Sequence, residues 1–196
     1  MFKFSIKKLF AKKPKLLLHV CCVGFGVYVS QTLKEDYDVT LYFYNPNVWP
    51  KQEYDKRLDE ANRIAERLKL KIIHGDYTHD DWLQSVKGHE GEPERGERCL
   101  VCFSGRLDKA AIEATKLNCD YFGTTLTTSP HKDALAINEI GEQLAEKYGL
   151  KFLNRDFKKK DGFKRSCELS RELGLHRQTY CGCEFSRRVA SQTANS

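Results

Sequence analysis

Short apolar runs with the length of a buried strand alternate with amphipathic stretches of helical period along most of this chain. Lys15 to Val20 (KLLLHV), Val39 to Tyr44 (VTLYFY), Lys71 to His74, Tyr121 to Leu126 and Lys151 to Leu153 read as strands. Between them, Val27 to Leu33 reads as a helix. From Pro50, Tyr54, Leu58, Ala61, Ile64 or Ala65, and Leu68 recur at helical spacing with charges on the other face. His79 to Val86, Cys99 to about Leu117, and Asp133 to Tyr148 capped by Gly149 continue the alternation. A basic segment, Lys158 to Arg165, then leads into a helix ending near Leu173. This order predicts an α/β fold: a three-layer parallel sheet with helices on both faces. In such sheets ligands gather where strand C-termini meet helix N-termini. Cys21 and Cys22 lie at that edge, and so does the hydroxyl-rich loop from Thr124 to Pro130.

The chain has 196 residues, 40% of them apolar, enough for one core. The pattern divides it into a basic N-terminal extension (1–14), a single α/β catalytic domain (15–188) and a polar tail (189–196), without internal repeats. No apolar run approaches the roughly 20 residues of a membrane span. Met1 to Lys15 has no apolar core or cleavage site of a signal peptide, so a reducing, cytoplasmic setting is expected and no membrane partner. The net charge of +6 permits a nucleic-acid partner without requiring one.

Eight cysteines are the informative count. In a reducing compartment, clustered cysteines bind metal or do redox chemistry more often than they form structural disulfides. Cys99-x-x-Cys102, at a loop-to-helix start, lets both sulfurs face one metal or cluster, and a helix N-terminus favours the thiolate. The competing reading is a redox pair. Cys21 and Cys22 are adjacent, so a disulfide between them is strained, and at a turn one or both can ligate; the plainer reading is two small buried residues. Cys181-Gly182-Cys183 permits a tight turn, and a disulfide across it is strained and readily reduced, which suits a redox-active pair; the same spacing can also hold metal. Cys119 and Cys167 read as structural. Six motif cysteines exceed one four-thiolate site, and the spacing alone does not choose iron over zinc.

Other signals are weaker. Gly24-Phe25-Gly26 lacks the remainder of a dinucleotide fingerprint, and there is no phosphate-binding Gly-Lys-Ser/Thr loop. His19 reads as a packed core histidine. His131, beside Ser129-Pro130, is a candidate proton donor, against the alternative of an exposed loop residue. Lys158, Lys159, Lys160, Lys164 and Arg165, with Arg171, Arg177, Arg187 and Arg188, could make a phosphate-binding face; a solvated surface is the default. Three rival classes stay open: a zinc-stabilised RNA-binding module, a general thiol–disulfide oxidoreductase, and a tRNA sulfur-transfer enzyme, which would need an ATP loop.

Taken in order, several motifs form a familiar set: Leu18-His19-Val20-Cys21-Cys22; Tyr44-Asn45-Pro46-Asn47; Glu53-Tyr54 with Arg57; Arg98-Cys99-x-x-Cys102 with Arg106-Leu107; Thr124-Thr125-Leu126 with Ser129-Pro130; and Tyr180-Cys181-Gly182-Cys183. From about residue 15 to 188 the chain resembles the cobalamin-independent epoxyqueuosine reductase family. Where many members carry a further cysteine shortly after the Cys-Cys pair, this chain has Val23-Gly24-Phe25. The resemblance implies a nucleotide α-hydrolase-like, Rossmann-like fold and a [4Fe-4S] cluster. It implies reduction of epoxyqueuosine to queuosine at the tRNA wobble base, the last step of queuosine biosynthesis. Carried onto this chain, it makes Cys21, Cys22, Cys99 and Cys102 the cluster ligands and Cys181 and Cys183 the redox pair. An alternative division places an additional iron on some of the six thiolates. The implied partners are epoxyqueuosine-containing tRNA and an unidentified electron donor, with neither ATP nor cobalamin.

Overall fold

In the computed structural model, which describes residues 12–176, 178 and 180–187, the expected alternation is realised. Its elements are β1 (Lys15–Val20), α1 (Val23–Leu33), β2 (Asp38–Phe43), α2 (Lys51–Leu68), β3 (Lys71–His74), α3 (His79–Ser85), α4 (Glu97–Lys116), β4 (Tyr121–Thr124), α5 (Ala134–Tyr148), β5 (Lys151–Phe152) and α6 (Gly162–Glu172); a 3-10 turn, Leu126–Thr128, follows β4. The strands form one parallel sheet in the order β3-β2-β1-β4-β5. Consecutive crossovers therefore run outward from β1 in one direction and from β4 in the other. This reversal opens a crevice at the C-terminal ends of β1 and β4, the place such sheets use for ligands.

The two-residue period of β1 sets the layers. Leu16, Leu18 and Val20 join a core with residues of α1 and α2, and Leu169 and Leu173 at the α6 end pack against it. Leu17 and Cys21 join the opposite core, with Phe103, Leu107 and Ala110 of α4 and Ile137 and Leu144 of α5. Leu16, Leu17 and Leu18 are fully buried. Truncating any of them to Ala would cost about 2–5 kcal/mol, because the packed layers cannot close over the cavity.

Local signals explain both ends of α5. Asp133 caps α5 by accepting from the amides of Leu135 and Ala136, and Gly149 closes it in the left-handed conformation. Several boundaries differ from the sequence expectation, three of them beside the crevice. The first helix begins at Val23 rather than Val27, despite two glycines, because Gly26 lies so close to Thr125 that a Cβ there would stand 3.2 Å from its methyl. Helix α4 begins at Glu97, ahead of Cys99. Strand β4 stops at Thr124, whose hydroxyl turns back to accept from Leu126 N (3.1 Å) and starts the 3-10 turn.

The polar loop at 88–96 is closed by one residue. The Arg98 guanidinium is buried and donates to the carbonyls of His89, Glu90 and Glu92. Among the described residues, no helix is long and apolar enough to cross a membrane.

Candidate active site

Cysteines from three distant stretches meet at the β1/β4 crevice. Strand β1 carries Cys21 into the α4 side of the sheet, while Cys22 sits at the extended N-cap of α1, so the adjacent side chains diverge. Cys99 and Cys102 lie three apart near the start of α4 and share a face. The segment carrying Cys181 and Cys183 is tied down at several points. Trp49 N donates to Gly182 O (2.8 Å), Arg57 Nη1 to Cys181 O (3.2 Å), Gln178 Nε2 to Cys22 Sγ (2.8 Å) and Lys132 Nζ to Cys181 Sγ (2.8 Å). Gly182 has φ +120°, and a Cβ there would lie 2.8 Å from Arg57 Nη1. The glycine between the cysteines thus allows both the turn and the approach of the arginine.

A cavity of about 380 Å³ opens onto Cys21, Cys22 and Cys181, with Lys132, Glu94 and His131 in its wall. Cys99, Cys102 and Cys183 are buried beside it; Cys102 and Cys183 pack with Trp82 and Phe185. All eight cysteines are free thiols. Cys102 packs in one cluster with Cys183, and the charge of Cys181 bears on Cys99, Cys102 and Cys183, so the three cysteine motifs lie close to one another. Cys119 and Cys167 stand outside this group, half-buried and buried. Among the described residues no three His, Cys, Asp or Glu side chains are grouped as a single metal ion would need.

Three cations surround the thiols, and all are buried: Arg57 and Arg106 at 1% exposure and Lys132 at 8%. Burial opposes their charge, yet each is held charged more firmly than usual. The charges of Cys21 and Cys22 do this for Arg57, those of Cys21, Cys102 and Cys181 for Arg106, and those of Cys181 and Glu94 for Lys132. Arg57 also pairs with Glu53 at 2.8 Å and Lys132 with Glu94 at 2.7 Å. Arg106 has no such carboxylate. It donates to Asn45 Oδ1 (2.6 Å), and its Nε and Nη1 have no hydrogen-bond partner; nor has Arg57 Nη2. Buried donors of this kind are costly unless something anionic accepts from them.

The thiols respond unequally. Burial pushes Cys22 up to about 11, with the Cys21 charge adding to it, and burial pushes Cys102 up to about 11. Burial raises Cys99 and Cys183 as well. The expectation that the α4 N-terminus favours the thiolates of Cys99 and Cys102 is therefore reversed: desolvation outweighs the helix end. Cys21 goes the other way. Burial alone would raise it, but Arg106, Arg57 and Lys132 together hold it below the usual thiol range.

His19 is the packed core histidine expected. Its Nε2 donates to Tyr44 O (3.1 Å), so Nδ1 accepts from Thr124 Oγ1 (2.9 Å), and burial with the nearby Arg106 lowers it to about 3. His131 is exposed at the cavity wall, its carbonyl accepting from Arg95 Nε. In the basic run, Lys158 Nζ is spent on the carbonyls of Thr127 and Lys132, Arg165 Nη1 on Tyr28 Oη, while Lys159, Lys160 and Lys164 are exposed. Arg177 and Arg188 lie outside the described residues, as does most of the N-terminal extension.

The chemistry of this donor set fits an anionic iron–sulfur group. It has cysteine side chains from separate elements, three buried cations whose charges act on them, and buried guanidinium donors without a partner. Sequence reasoning quoted Arg57 and Arg106 without a role and missed Lys132 altogether. A signal for the arginines existed: Arg57 lies between Tyr54 and Ala61, and Arg106 between Phe103 and Ala110, on the buried stripes of α2 and α4. Lys132 lies in a loop and carries no such mark.

The fold is shared with the U34-tRNA thiolase NcsA from Methanococcus maripaludis, solved with its [4Fe-4S] cluster. The likeness has a TM-score of 0.54 at 15% identity, covering 96% of this chain and 68% of that one. An epoxyqueuosine reductase QueH from Streptococcus pyogenes serotype M1 is 39% identical over 183 residues, 90% of this chain and 72% of the relative. One from Thermotoga maritima is 37% identical over 174 residues, 87% and 89% of the two chains. The family model described as epoxyqueuosine reductase QueH matches residues 16–189, and with relatives of this similarity over most of both lengths the chain belongs to that family.

Proposed function

We propose that this chain reduces epoxyqueuosine to queuosine at the wobble base of tRNA, as an oxidoreductase of queuosine biosynthesis. Family membership supports the activity. The observation that carries it on this chain is the cavity lined by Cys21, Cys22, Cys181 and Lys132, with the buried Arg57 and Arg106 acting on the same thiols from behind its wall. Cys21, Cys22, Cys99 and Cys102 would hold a [4Fe-4S] cluster, whose charge the unpartnered guanidinium donors would meet. When bound, such a cluster supplies electrons singly.

The remaining chemistry falls to the chain. Converting an epoxide to an alkene breaks both bonds to the oxygen and releases it as water, consuming two electrons and two protons. The Cys181–Cys183 dithiol balances this step: two S–H bonds break, one S–S bond forms, and two electrons and two protons are delivered. The external electron donor then returns the disulfide to the dithiol. Lys132 fixes the Cys181 sulfur and offers its ammonium group to the oxygen as negative charge builds there. His131, at the cavity wall, is placed to pass protons from solvent. The exposed Lys159, Lys160 and Lys164 supply charge for tRNA phosphates.

The test uses anaerobically reconstituted protein, epoxyqueuosine-containing tRNA and a chemical reductant, with nucleosides read by mass. The wild type is expected to convert the nucleoside with loss of one oxygen, and Cys181→Ser to keep its iron but lose conversion. An iron-loaded wild type that leaves epoxyqueuosine intact would overturn the activity; a fully active Cys181→Ser would overturn the dithiol step.

A further inference from the structure

Beside Tyr180, the cysteine cavity has two phenylalanine rings in its wall that no step of the reduction uses. Phe25 lies in the first turn of α1, directly after Cys22, and Phe163 in the first turn of α6. Their rings stack with centroids 5.6 Å apart and planes 30° apart. Both line the same cavity as Cys21, Cys22 and Cys181, and both stay partly exposed there. Their ring surface at the cavity wall is apolar area that folding has buried only in part.

We propose that Phe25 and Phe163 form a stacking platform for the tRNA wobble nucleobase, which leaves the anticodon stack and lies on these rings while its substituent extends toward Cys181. This rests on the epoxyqueuosine reading. A base held in a stacked loop cannot bring its substituent into a closed cavity, so enzymes acting on a base extrude it and hold it against aromatic faces. At about 380 Å³ the cavity has room for one nucleobase and its substituent but not for a loop of RNA. The charge distribution agrees: Lys159, Lys160 and Lys164, on either side of Phe163 in sequence, are exposed and can take the phosphates flanking an extruded nucleotide.

The rival role for the pair is packing between α1 and α6, and the test separates the two. Affinity of the holoprotein is measured by fluorescence anisotropy for anticodon stem-loops carrying guanine or an abasic residue at the wobble position. Wild type, Phe163→Leu and Phe163→Trp are compared, with circular dichroism and thermal unfolding as a check of fold. Leucine keeps apolar bulk and loses the π-face; tryptophan keeps the π-face. A platform requires the wild type to bind the guanine loop about tenfold or more tighter than the abasic loop. Phe163→Leu should lose that preference without weakening on the abasic loop, and Phe163→Trp should retain it. Equal wild-type affinity for the two loops, or a Phe163→Leu protein that keeps the full preference, overturns the platform. Conversion of epoxyqueuosine tRNA by the same wild-type preparation is measured alongside. If it proceeds while the preference is absent, the platform alone falls; if it fails, the functional reading falls with it.

Discussion

Replacing Arg106 by Met should make the metal-free protein more stable and the iron-loaded protein harder to form. Arg106 is fully buried, spans the centre of the thiol group and has no carboxylate partner among the described residues. Its Nε and Nη1 donors are unpartnered, each costing about 1–3 kcal/mol, or about 2–6 kcal/mol together. Met fills a similar volume and removes both. Against this, the substitution leaves Asn45 Oδ1, now 2.6 Å from Arg106 Nη2, without its donor, at about 1–3 kcal/mol. The two ranges centre on about 4 and about 2 kcal/mol, so the balance favours the variant by about 2 kcal/mol, the Cys21 thiol taking up a proton once Arg106 no longer holds it ionised. For a chain of this length that raises the midpoint by about 4–8 °C. The assay is thermal unfolding of anaerobic apoprotein by circular dichroism, paired with iron content after reconstitution. The variant should melt higher as apoprotein and take up less iron, because the cation that meets the anionic group is gone. An Arg106→Met apoprotein that melts several degrees below wild type, or one that still loads iron fully, would contradict this role for Arg106.

Gly182→Ala should reduce conversion and stability together. The alanine must hold φ +120° and its Cβ would press on Arg57 Nη1 at 2.8 Å, a strain of about 1–3 kcal/mol readable in urea unfolding; unchanged unfolding would show that the turn tolerates a side chain. His19 gives an acid dependence. Its pKa falls from 6.5 unfolded to about 3 folded, so below pH 6.5 the unfolded chain binds a proton the folded chain refuses. Stability from this group is complete above pH 6.5 and lost as pH falls toward 3, at up to about 1.4 kcal/mol per unit. His19→Gln apoprotein should show a flatter profile between pH 6.5 and 4.5; parallel profiles would contradict the assignment.

How far the sequence revealed all this differs element by element. The strands were legible because Leu16 to Val20 and Val39 to Phe43 are apolar and β-branched enough to be buried on both faces. Cys21 and Cys22 were placed at the ligand edge by one rule, that a strand followed by a helix ends there in a parallel sheet. The start of α1 was not legible: Gly24 and Gly26 look like a turn until Thr125, far along the chain, packs against the helix. The position of Cys181 was not legible either. It depends on Trp49, Arg57 and Lys132, which come from three separate stretches and meet it only in the folded chain. The thiol ionisation expected at the α4 N-terminus failed for a related reason, since burial is a property of the fold and not of the local segment.

In the proposed function, thiols from distant stretches form one site for an anionic iron–sulfur group. Iron and acid-labile sulfide per chain, determined on protein purified and reconstituted without oxygen, test it most directly. About four of each are expected in the wild type and a substantial loss of both in Cys99→Ser. A colourless protein holding zinc alone, or iron retained in full by Cys99→Ser, would contradict it.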